Sequence, residues 1–146
     1  MADKVSTKQI QYKSGFKYQL SKDCGIQTSI YPAKNLYSQF IELDTSGFLI
    51  IKSGYCWDGP SGPAIDTHTF MRGSLVHDAL YQLMREGLLE QKWRIQADIE
   101  LRRICLEDNM CKIRAEWVYE AVQTFAKRCA EIGHSRKTKI APRRVK

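Results

Sequence analysis

The chain has 146 residues, 43% hydrophobic and 27% charged, an ordinary globular composition that excludes low-complexity and fibrous classes. No apolar run approaches the roughly 20 residues that cross a bilayer. The polar start MADKVSTKQIQYK has no signal-peptide core, so a cytoplasm, or a particle assembled there, is the expected location. The net charge of +7 is concentrated in the last twelve residues, SRKTKIAPRRVK, which hold six Lys or Arg and no acid and leave +1 for the rest.

The length predicts a single compact domain over 1–134, followed by a basic flexible tail over 135–146. Such a tail can touch nucleic acid or anionic lipid. Sequence-specific nucleic-acid binding is not expected, because the basic residues cluster in the tail and not on a recognition helix. The five cysteines are odd in number and lack a CxxC pair, which predicts reduced thiols without a zinc site.

Residues 1–53 read as β-rich. IQYKSGFKYQL and GIQTSIYP carry strand-forming residues between turn formers, and QFIELDTSGFLIIKSG predicts a hairpin around Asp44-Thr45-Ser46-Gly47. A Gly/Pro loop follows over 54–68, with Gly59-Pro60-Ser61-Gly62-Pro63 excluding helix and central strand.

The remainder, 69–134, reads as helical. The first helix is predicted from Thr69 or Arg72 to Glu86, with Gly87 as its C′ residue. A second spans about Glu90 to Asp108. A third spans about Lys112 to Ile132, closed by Gly133, with Ile113, Trp117, Ala121, Phe125 and Cys129 as its core-facing stripe. Antiparallel β-hairpins in a small sheet followed by three helices, two of them an antiparallel hairpin, define an α+β fold.

His77 precedes Gly87 by ten residues and Asp98 follows it by eleven. If Gly87 lies in the hairpin turn, the two stand at one height, facing each other. Tyr81 shares the His77 face one helical turn on. Ile95, Ala97, Ile99, Leu101 and Ile104 flank Asp98 and predict that it points inward, while Glu100 and Glu107 read as solvated. An inward carboxylate needs donors, and His77 and Tyr81 are the natural ones. The carboxylate would fix one imidazole nitrogen and free the other to take a proton from water. Asp78, rotated about 100° from His77, would face the Gly/Pro loop. There its carboxylate and loop carbonyls, with Asp58 and Asp66 as further acids, suit Ca²⁺, which can polarise an ester carbonyl. A base, its orienter and an electrophile are the minimum for ester hydrolysis. Cys56 with His77 is the weakest enzymatic pairing, because no oxyanion motif accompanies it.

The Gly59–Pro63 loop, His77-Asp78-Ala79-Leu80-Tyr81 and Ala97-Asp98, in that order, resemble the core of small phospholipases A2, with the layout of the bacterial and parvovirus-capsid types. The resemblance covers about residues 54–108. It implies a water-activating His77, an orienting Asp98, Tyr81 bonded to that acid, and calcium on Asp78 with the loop at Trp57, Gly59 and Gly62. The Leu75-Val76 pair stands where the secreted and bacterial enzymes carry a cysteine. Over its whole length the chain resembles a family of small phage and prophage proteins catalogued as a domain of unknown function. The shared features are N-terminal strands, a Trp57-Asp58-Gly59 loop, LxHDxxY and Arg94-x-x-Ala97-Asp98. That resemblance implies a phage virion or host-cytoplasm setting and no activity. The alternatives to phospholipid hydrolysis are a non-enzymatic virion or host-interaction protein with a structural His-Asp-Tyr network, and another hydrolase chemistry at the same residues.

Overall fold

The computed structural model describes residues 10–12, 18–58, 68–125, 127–133 and 139–141. It is α+β: small antiparallel sheets from the N-terminal strands, then three helices. The main sheet has the order β3 (Cys24–Gln27), β6 (Phe48–Ile51), β5 (Ile41–Leu43), β4 (Leu36–Tyr37). The predicted hairpin is present, with Ile41 opposite Ile51 and Leu43 opposite Leu49. All four of these side chains are buried, whereas Phe48 faces solvent, as the two-residue period of a one-sided sheet requires. The turn is held by Asp44, whose Oδ1 accepts the Ser46 and Phe48 amides at 2.9 and 3.0 Å. Gly47 takes φ +85°, and a Cβ there would lie 2.6 Å from the Thr28 carbonyl, so no other residue fits without displacement.

Two further two-stranded ribbons are present among the described residues. Strand β2 (Tyr18–Gln19) pairs with β7 (Cys56–Trp57), and β1 (Ile10–Tyr12) pairs with β8 (Lys139–Ala141). The latter places three residues of the basic terminal segment in a strand; the rest of that segment lies outside the described residues.

Helix α1 (His68–Arg85) lies over the sheet and buries Val76, Ala79, Leu80, Leu83 and Met84 in one cluster with the sheet's aliphatic residues. Gly87 ends it at φ +72°, and the Leu88 and Leu89 amides both bond the Leu83 carbonyl, as the C′ assignment requires. The chain turns through a single 3-10 turn, Gln91–Trp93, into α2 (Arg94–Glu107), which runs back along α1. At the crossing, a Cβ on Gly73 would meet Cys105 Sγ at 2.9 Å and Leu101 Cδ1 at 3.0 Å. The glycine therefore sets how closely the two helices approach.

Helix α3 (Lys112–Phe125) departs from expectation in length and in phase. It ends at Phe125, and a 3-10 turn over Lys127–Ala130 replaces the expected last turns. Of the predicted core stripe, Ile113 is 85% exposed, Trp117 48% and Cys129 exposed, while Ala121 is half-buried and the Phe125 side chain lies outside the described residues. The buried positions are Ala115 and Val118, with Val122 packed beside them, against Phe70, Leu101 and Cys105. Polar contacts account for the rotation. The Arg102 guanidinium stacks 4.2 Å from the Tyr119 ring and reaches Glu116 at 3.2 Å, turning the small-residue face of α3 inward.

Candidate active site

Three helices converge on Asp98, which is fully buried on α2. Its Oδ1 accepts from His77 Nε2 at 2.7 Å and from the Tyr81 hydroxyl at 2.6 Å, both on α1. Its Oδ2 accepts from Gln123 Nε2 on α3 at 2.6 Å and lies 3.6 Å from Arg94 Nη1, one helical turn earlier. The expected facing of His77 and Asp98 across the hairpin, with Tyr81 sharing the acid, is therefore present. The inward orientation predicted for Asp98 is present too, although Ile95, one of the apolar neighbours that suggested it, is exposed.

The donors define the protonation pattern. A carboxylate that receives donors at both oxygens acts only as an acceptor. The His77 proton is then on Nε2 and the Nδ1 lone pair is left over. The Tyr81 ring lies 4.1 Å from the imidazole, centroid to centroid, and limits its rotation. Burial, followed by the bond to Asp98, pushes the Tyr81 hydroxyl well above the ordinary phenol range, so it remains a donor.

Asp78 occupies the opposite side of the imidazole, with Oδ1 4.0 Å from Nδ1. This is nearer to His77 than the 100° rotation of neighbouring helix residues suggested. Surrounding protein pushes the Asp78 carboxyl up from 3.8 to about 6, against the pull of His77 and Arg85. A third of its side chain (36%) still reaches solvent, whereas His77 is only 5% exposed. Tyr55, buried beside Asp78, is raised as well, first by burial and then by that acid's charge.

The loop residues divide by what is described. Trp57 is a core residue: its indole is buried against Tyr18 and donates to Ser74 Oγ at 3.2 Å, which leaves only its backbone for a ligand. Asp58 is part-buried next to it. Gly59, Gly62 and Asp66 lie outside the described residues. Among the described residues no group of three His, Cys, Asp or Glu is arranged to hold a metal ion. Asp78 and Asp58 are hard oxygen donors of the type that suits Ca²⁺.

Two polar residues behave differently from the sequence reading. Glu100, expected on the surface, is 1% exposed. Its Oε1 accepts the Ser29 amide at 2.9 Å and its Oε2 the Arg103 Nε at 2.8 Å, so it ties α2 to the loop after β3. Arg103 goes on to Glu107 and to the Gln27 carbonyl. Gln123 was not anticipated at all. It stands 25 residues from Asp98 on a helix whose phase the apolar pattern misassigned, so no local signal marks it.

Comparison of the chain with protein-family models, with curated proteins and with solved structures returns no match. Among the described residues, no helix is long and apolar enough to cross a membrane.

Proposed function

We propose that this is a phage-encoded, phospholipase A2-like hydrolase in which His77 activates water for attack on a phospholipid ester. The observation that carries the proposal is the 2.7 Å bond from His77 Nε2 to Asp98, shared with Tyr81, which leaves Nδ1 as the imidazole's basic atom. Further support comes from the order of Gly/Pro loop, His77-Asp78-x-x-Tyr81 and Ala97-Asp98, which resembles that enzyme class.

In this reading Nδ1 takes a proton from water as the water oxygen bonds to the ester carbonyl carbon. The imidazolium then returns that proton to the departing alkoxide. Asp98 holds the ring in the required tautomer and balances the charge the ring acquires. Tyr81, Gln123 and Arg94 keep Asp98 in place. Asp78 would hold Ca²⁺ together with the Trp57 carbonyl, oxygens of the 59–62 segment and, as a further acid, Asp58. When bound, the ion supplies a positive charge that polarises the ester carbonyl.

The test is fatty-acid release from mixed neutral and anionic phospholipid vesicles, with and without calcium. The expected result is calcium-dependent release that H77A and D98A abolish and D78N removes by abolishing the response to calcium. No release by the calcium-loaded wild type at any lipid composition would overturn the reading.

A second reading is favoured by the low exposure of His77 and the saturation of Asp98 by donors: a buried lock that joins three helices, in a phage virion or host-interaction protein without turnover. Here H77A lowers stability by about 1–3 kcal/mol, because it leaves a buried acid short of a donor. An active wild type with a folded, inactive H77A would exclude this reading.

A further inference from the structure

A second concave site lies at the far end of α1 and shares no residue with the His77 network. It is a cleft of about 340 Å³ between the 32–36 segment and the α1–α2 connection. That volume falls at the lower end of the ~300–1,000 Å³ of small-molecule sites. Pro32, Leu36, Leu88, Leu89 and Trp93 form apolar walls, and Lys34 and Glu90 stand among them.

The walls are anchored. Leu36 pairs with Leu43 in the sheet, and the Leu88 and Leu89 amides both bond the Leu83 carbonyl. The Trp93 amide bonds the Glu90 carbonyl, which closes the 3-10 turn. A pocket with fixed walls takes a ligand without first paying to order its own backbone.

The charges decide the ligand class. Glu90 is balanced by Lys92 at 3.4 Å, and the Lys92 ammonium also sits 5.6 Å from the centroid of Trp93. Lys34 has no acid in ion-pairing range among the described residues, so its charge alone is uncompensated in the lining. An apolar floor beside a single unbalanced ammonium matches a short apolar chain with an anionic head. We propose that this cleft binds a small amphiphilic anion. The site is independent of the hydrolase reading.

Octanoate is the probe, added to full-length, ¹⁵N-labelled protein while the three tryptophan indole N–H resonances are followed, with Trp93 assigned from W93F. Saturable movement of the Trp93 signal is expected, with the Trp57 and Trp117 signals unmoved. Acetate, a head without a chain, and octanol, a chain without a charge, should each bind about tenfold more weakly. K34M, a change at an exposed residue, should weaken octanoate about tenfold and leave octanol unchanged. The proposal is overturned if Trp93 does not respond, if exposed Trp117 responds equally, or if K34M binds octanoate like the wild type. It is also overturned if the Trp93 shift follows protein concentration instead, since a second copy would then cover the cleft.

Discussion

His77 and Asp98 are 21 residues apart in sequence and 2.7 Å apart in space, and the acid is sealed from solvent. Because Asp98 also serves Tyr81, Gln123 and Arg94, its replacement disturbs more than one bond. D98N retains the shape but turns an amide NH₂ toward donors. A stability loss of about 3 kcal/mol is expected by urea denaturation, against about 1.5 kcal/mol for Y81F, which removes a single charge-assisted bond. A D98N protein as stable as the wild type would show that the network contributes little to folding.

Gln123 is the only α3 residue bonded to Asp98 among the described residues, so it couples the third helix to the hairpin. Q123L should cost about 1–2 kcal/mol. Q123E, which sets a second carboxylate against Oδ2, should cost more at neutral pH and recover on acidification, when the two acids can share a proton. Thermal melts of the three proteins at pH 7 and pH 5 distinguish charge repulsion from simple loss of packing: packing loss alone gives the same Q123E deficit at both values.

Asp78 gives a pH dependence whose sign can be worked out. Its folded-state pKa of about 6 lies above the ordinary value of 3.8, so the folded protein binds the extra proton between those values. Stability contributed by this group is therefore present at low pH and lost as pH rises from about 4 through about 6. D78N should raise stability at pH 7 by about 1 kcal/mol, a figure discounted because a third of the side chain meets solvent, and should change nothing at pH 3. If Asp78 holds calcium, the ion should stabilise the wild type and not D78N. Melts across pH with and without calcium check both points.

Gly73 predicts an effect on the site from a residue outside it. The Cβ of G73A has no room against Leu101 and Cys105 and should cost about 1–3 kcal/mol. The spreading of α1 from α2 should lengthen the His77–Asp98 bond and move the imidazole NMR signals. An unperturbed His77 signal in G73A would show that the hairpin absorbs the strain elsewhere.

Much of the candidate site was legible because it depends on local periodicity. The four-residue step from His77 to Tyr81 and the near-equal spacing of His77 and Asp98 about Gly87 are helix arithmetic, and an antiparallel turn converts that spacing into contact. The β5–β6 hairpin was legible for the same kind of reason: alternation and a turn sequence both act within a few residues.

What failed to read was set by contacts between distant segments. The large apolar residues of α3 suggested the wrong buried face, because small Ala115 and Val118 allow closer packing and Arg102 pairs with Glu116 and Tyr119. Glu100 looked solvated because its partner Ser29 is 71 residues away. The sequence by itself determined the α+β order of elements, the stop of α1 at Gly87 and the facing of His77 and Asp98, all of which follow from backbone periodicity and short-range turn chemistry. The stop expected at Gly133 did not hold, because α3 ends at Phe125. Only the tertiary structure decided the rotation of α3, the arrival of Gln123 at Asp98 and the place of Asp78 beside Nδ1. Those depend on how three helices fill shared space, which no single segment encodes.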